Sequence, residues 1–293
     1  MRLFLACTCD DVMRWLPPPQ WEPAWQSEAA RECGNGETGP CGAWGEHTVR
    51  TVYAGAALYL DTILRCIQAM AGALTAESTP YVMNALARAA MEAGAQLWWL
   101  LQPDIGVRRR VARFWLIRAS GARYLDDTVQ IIDPAAAAGT YGETPAMVQA
   151  AVDGLGLSYS ERQLRNGKWS RSCEGETLPG YTARAAAFET AVSMSAAYTI
   201  YSAAAHAEWH AVIASFRQEP LPGDGTVLLS RPDLVAVADA VLAAAGFAIV
   251  PADRALRLLG RTARLAEFGY HARRADDLIH RLGLPAEWSH WRR

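Results

Sequence analysis

From Glu46 to Leu74 apolar residues return every three or four positions with no proline between them, the period of a helix that buries one stripe. The pattern predicts a long helix that stops before TAESTP. Thr79 followed by Pro80 has the form of an N-cap with proline at the first helical position, so a second helix is expected from there to about Leu101. A third is expected from Asp104 to Asp133. Thr144 and Pro145 repeat the start signal for a fourth, shorter helix ending near Gly154. Between Leu157 and Pro179 the period fails, and Asn166-Gly167 marks a tight turn, the signature of a small hairpin. Helical spacing resumes near Thr182 and is expected to run, with a break near Ser193 to Ser195, as far as Phe216. After PLPGDG two last helices are expected, from about Pro232 to Ala245 and from about Pro251 to Leu282.

Residues 1–45 hold Pro17, Pro18, Pro19 and the glycine-rich CGNGETGPCGAWG, which break any regular period. The chain therefore reads as a loop-rich N-terminal arm over 1–45 and an all-α domain over 46–293. That domain is a multi-helix bundle of six to eight helices with an irregular excursion near 157–180. No internal repeat of solenoid length appears.

Polar residues inside apolar helices change this picture, because a buried polar group costs free energy unless it is paired. Between Tyr81 and Leu101 the charged residues are Arg88 and Glu92. Asn84 and Gln96 extend the same face in both directions by steps of four, amid apolar neighbours that include Trp98 and Trp99. The stretch YTIYSAAAHAEWH shows a matching stripe in Tyr198, Ser202, His206 and then Trp209 or His210. Two antiparallel helices with such inner faces would bury these groups against each other. Arg88 and Glu92 are therefore expected near Ser202 and His206.

Composition narrows the function classes. A formal net charge of -2 provides no basic field of the kind that phosphate backbones require, so nucleic acid is not an expected partner. Arginine makes up all but one of the 28 basic residues, the exception being Lys168, so arginine-based motifs carry little weight. No stretch of about 18 uninterrupted apolar residues occurs, so no membrane span is expected. MRLFLAC is too short in its apolar part for a secretory signal, which makes the cytoplasm the expected compartment. A homodimer is the base-rate expectation.

Six cysteines in a chain of this length do not form a disulfide scaffold. Cys7, Cys9, Cys33 and Cys41 fall close together in sequence but contain no CxxC knuckle. His206 and His210 are spaced to chelate from one helix face, yet Glu208 is not where a zinc protease carries its glutamate, and no third ligand is apparent. Asp126, Asp127 and Asp133 approach the aspartate-rich motif of terpene synthases, but Gln130 stands where the fifth-residue aspartate belongs. No metal or cofactor is expected. Arg108, Arg109, Arg110 and Arg113 could hold an anion, but a charge run is usually a solvated face, the reading given also to Asp276 and Asp277 among their arginines.

ALARAAMEAGAQLWWLLQPDIGVRRRVAR, followed later by YTIYSAAAHAEWH, resembles a family of uncharacterised all-helical actinobacterial proteins. In that family an A-R-x-x-x-E helix precedes a Y-x-x-x-S-x-x-x-H helix. The family is distantly similar to HEPN domains, helical bundles whose active members are ribonucleases with an arginine four to six residues before a histidine. The resemblance places Arg88, Glu92, Ser202 and His206 on the shared positions. His206 lacks the nuclease arginine, since Thr199 to Ser202 contain none. Arg264 with His271, and Arg274 with His280, have the spacing at a frequency that abundant arginine yields by chance.

The expected function is an enzyme or binder for a small molecule, of the kind found in bacterial specialised metabolism, acting at a buried polar site between helices. His206 is the expected general base, Arg88 the clamp for an anion or a carboxylate, and Glu92 the group orienting one of them, with Ser202 counted among the catalytic residues. Asn84, Tyr198, Trp98, Trp99, Trp209 and His210 are the expected ligand-binding residues. Two alternatives stand beside this reading: a HEPN-like RNA-acting toxin or defence protein, and a non-catalytic interaction protein whose polar stripes set packing.

Overall fold

A computed structural model describes residues 23–24, 26–34, 38–39, 42–43, 46–74, 80–133, 135, 139, 142–191, 197–206, 216–221, 225–232, 234–261, 273, 277 and 280–281. The described chain is mostly helical. Eight helices occur among these residues: α1 Glu28–Gly34, α2 Glu46–Ala73, α3 Pro80–Leu101, α4 Val107–Ile132, α5 Pro145–Gly154, α6 Tyr181–Ala191, α7 Ala197–Ala205 and α8 Leu234–Leu258. Short strands form three small antiparallel sheets: β1 Thr38–Gly39 with β2 Gly42–Ala43, then β3 Tyr159–Gln163, β4 Trp169–Cys173 and β5 Glu176–Thr177, and finally β6 Phe216–Leu221 with β7 Gly225–Pro232. The all-α expectation holds at this level, with minor sheets added.

The chain divides into two compact units. One comprises Met1–Ala24, Ala56–Leu101 and Gly180–Arg293, and the other Trp25–Gly55 and Gln102–Pro179. The expected arm lies largely outside the described residues, although α1 falls within its span.

In the first unit, α3 packs against α6, α7 and α8. Helix α3 leaves Val82, Ala85 and Ala89 exposed in its first half but buries residues on all sides from Ala90 onward, with Ala90, Met91, Ala95, Leu97 and Leu100 at most 1% exposed. Its partner α8 is alanine-rich and continuous from Leu234 to Leu258 with Pro251 inside it, so the expected break at Pro251 is absent. Small side chains along both helices permit close approach, and burial of Phe247, Ala248 and Ile249 just before the proline keeps the helix running through it.

In the second unit, α4 packs against α5 and against strands β4 and β5. Helix α4 starts at Val107, later than expected, because Asp104 adopts a left-handed conformation (φ 62°) that no helix interior accommodates. Helix α5 has the expected cap: the Thr144 hydroxyl accepts from the Met147 N–H, with proline at the first turn. The excursion near 157–180 is a three-stranded meander. Strands β3 and β4 pair from Tyr159↔Cys173 to Gln163↔Trp169, closed by the Asn166-Gly167 turn, where Gly167 has φ 79°. Glu174 (φ 51°) and Gly175 (φ 76°) then form a two-residue turn into β5, the backbone that a twisted hairpin demands.

Helical pattern was expected to reach Phe216, but α7 ends at Ala205 and residues 216–232 pair as the β6–β7 hairpin. Thr226 and Val227, β-branched neighbours within β7, favour this pairing over continued helix.

Candidate functional site

The polar stripe of α3 meets that of α7 inside the first unit. Arg88 Nε donates to Glu92 Oε1 at 2.8 Å, the ion pair that their four-residue spacing allows. The Tyr198 hydroxyl donates to the same Glu92 oxygen at 3.0 Å. Arg88 Nη1 lies 3.1 Å from His206 Nε2. Ser202 bonds to the Tyr198 hydroxyl, so Ser202, Tyr198, Glu92, Arg88 and His206 form one continuous chain of contacts. Arg88 and Glu92 are about a quarter exposed at their side chains, whereas His206 is exposed at the turn just beyond α7.

Partial burial works against the Arg88 charge, but the Glu92 carboxylate outweighs it and holds the guanidinium pKa above its usual value. Burial, reinforced by Glu92, pushes the Tyr198 phenol up, so this hydroxyl serves as a donor to Glu92. The remaining expected ligand-binding residues are dispersed. Asn84 is buried on α3. Trp98 packs edge-on against Phe188 with ring centroids 5.8 Å apart, and Trp99 is buried. Trp209 and His210 lie outside the described residues, as do Cys7, Cys9, Cys41, Arg264, His271 and Arg274. Among the described residues no group of three or more histidine, cysteine or acidic side chains could hold a metal ion. No described helix is long and apolar enough to cross a membrane.

Three groups escaped the sequence reading. Arg184 on α6 is buried, with its guanidinium 4.5 Å from the centre of the Tyr181 ring. Burial lowers its pKa, while the surrounding Tyr181, Tyr59, Glu92 and Tyr198 favour the charge. Tyr59 itself is pushed up to about 12 by burial. Glu189 on α6 accepts the Tyr198 N–H at 2.7 Å and thereby caps the start of α7; burial raises its pKa against this bond. Tyr201 donates to Asp239 of α8 at 2.7 Å, and burial raises that carboxyl. The signal that singled out Arg88 and Glu92 applies equally here. Arg184 and Glu189 are the charged residues of α6, and Asp239 is the one charge between Leu234 and Pro251.

The arginine run of α4 is a solvated face only in part, since Arg109 is exposed and Arg108 half-exposed while Arg110 and Arg113 are buried. Arg110 is fully buried and grips Glu32 through Nε at 3.1 Å and Nη2 at 3.2 Å, while Arg108 pairs with Glu174, and Arg109 and Arg113 share Glu176. Glutamates brought from α1 and the meander, distant in sequence, satisfy the run. Searches of protein-family models, curated proteins and solved structures find no match to this chain.

Proposed function

We propose that the protein binds, and as an enzyme turns over, a small molecule at the Arg88, Glu92, Tyr198, Ser202 and His206 cluster. The observation carrying this reading is the contact from Arg88 to His206, which links a half-buried ion pair to an exposed imidazole across 118 residues of sequence. Polar groups that only set helix packing gain nothing from ending on an exposed ring; groups that serve a ligand must reach solvent somewhere. Arg88 is the cation at the site and Glu92 holds its guanidinium in place. His206 stands where a ligand arrives. As a general base it would take a proton on Nε2 once the contact with Arg88 opens.

The test is a thermal-shift and calorimetric screen of the purified protein against a metabolite panel, repeated with Arg88→Ala and His206→Ala combined. The expected result is a ligand that stabilises the parent and not the double variant. Ligands found by the screen that bind both proteins equally would remove this site from the function. The interaction-protein alternative has its own support, since Arg88 and Glu92 already satisfy each other. It predicts that the double variant keeps every binding property of the parent.

A further inference from the structure

The contact between Arg88 and His206 also constrains where the imidazole carries its proton. A guanidinium has only donors, so Nε2 of His206, 3.1 Å from Arg88 Nη1, must offer a lone pair. A proton on that nitrogen would set N–H against N–H beside a fixed cation. The neutral ring therefore bears its hydrogen on Nδ1, which meets no polar atom among the described residues and belongs to an exposed side chain. A lone pair drawn toward a cation polarises the ring and strengthens the opposite N–H as a donor. What His206 presents outward is thus a sharpened hydrogen-bond donor, and the group that complements it is an acceptor bearing negative charge. One donor, beside an arginine already paired with Glu92, suits a monoanion better than a phosphate dianion.

The geometry points to a carboxylate as the group this site recognises, held by the Nδ1–H of His206, with Arg88 as the positioning residue that selects the tautomer. This inference rests on the reading of the cluster as a ligand site and specifies the ligand class.

The experiment is a long-range nitrogen–proton correlation spectrum of histidine-labelled, ligand-free protein at mildly alkaline pH, with His206→Asn to assign the signal. The expected spectrum shows His206 protonated at Nδ1 and bare at Nε2. In Arg88→Met the proton moves to Nε2. Acetate is then titrated, with acetamide as the neutral matched probe. Acetate should shift the Nδ1 resonance of the parent and bind at least about tenfold more weakly to Arg88→Met, while acetamide should leave the resonance in place. A proton on Nε2 in the parent overturns the inference, as does an Nδ1 signal that acetate moves no more than acetamide. The tautomer is read without any ligand, so this result is separate from the metabolite screen, on which the function of the cluster itself stands or falls.

Discussion

The backbone carbonyl of Phe247 in α8 occupies the place that a β-carbon on Gly94 of α3 would need. Pro251, one turn further along α8, has no N–H to offer that carbonyl, and the buried oxygen lies against the one α3 position with no side chain. Alanine at 94 would gain about 1 kcal/mol of helix propensity. It would collide with main chain inside a packed core, where overpacking costs about 1 to 3 kcal/mol and flexible side chains cannot yield to relieve it. Because the clash is with main chain, the cost belongs at the upper end of that range, so Gly94→Ala is expected to lower stability by about 2 kcal/mol net in chemical denaturation, and an unchanged midpoint would contradict the packing described.

Gly121 in α4 supplies the opposite case. It is exposed, and a β-carbon at this position would meet nothing within 4 Å. Gly121→Ala should therefore raise stability by about 0.4 to 1 kcal/mol, through a less free unfolded chain and better helix propensity. The same denaturation series measures both glycines.

Arg110 tests the buried ion pair. Its side chain is wholly enclosed and its charge is met by Glu32, which also accepts the Tyr53 hydroxyl. Arg110→Met would strand Glu32 and cost about 3 to 5 kcal/mol. Adding Glu32→Leu together with Tyr53→Phe, which removes the hydroxyl that Glu32 accepts, should recover most of that loss, and a combined variant no more stable than the single one would show that the pair does not act as a unit.

Opposite carboxylate environments predict opposite responses to pH. Burial disfavours the charges of Glu161 and Glu176, yet Arg123 and Arg171 around the first, and Arg113 and Arg109 around the second, hold both pKa values below the usual range; Arg108 does the same for Glu174. Their stabilisation is complete above the unfolded carboxylate pKa and is lost as pH falls through the lowered folded values. Glu189 and Asp239 are raised by burial, so the folded state holds their protons more tightly. Their contribution is greatest in acid and declines as pH rises from the unfolded value through the raised one. Hydrogen exchange from neutral pH downward should show the meander amides losing protection before those of α7 and α8. Glu161→Gln should flatten the acid response of the meander, and Asp239→Asn should abolish the decline that Asp239 contributes as pH rises through its raised folded value.

The α3 ion pair separates a structural from a ligand-serving role. Arg88→Met combined with Glu92→Leu replaces a half-buried pair by apolar groups of similar volume, a change that is often neutral or stabilising. The double variant should melt within about 1 kcal/mol of the parent. It should lose its response to any ligand that the parent binds at the cluster, and retention of that response would place the ligand elsewhere.

Local signals in the sequence were enough to delimit α2, α3 and α5, because apolar period, a threonine cap and proline at the first turn act over a few residues. They were enough, too, for the Arg88–Glu92 face and the Tyr198–Ser202–His206 face, since i, i+4 spacing is a property of one helix. The meeting of those faces depended on pairing two helices that lie far apart in the chain. Matching polar faces made that contact an expectation, but only tertiary structure fixed it, as it did the glutamates that pair with the α4 arginine run. The continuity of α8 through Pro251 was decided in the same way: a local rule ends the helix there, and the burial of Phe247 against Gly94 outweighs it. Short-range chemistry thus set which residues share a face, and long-range packing set which faces meet, because the free energy of burial is shared among segments that no local pattern relates.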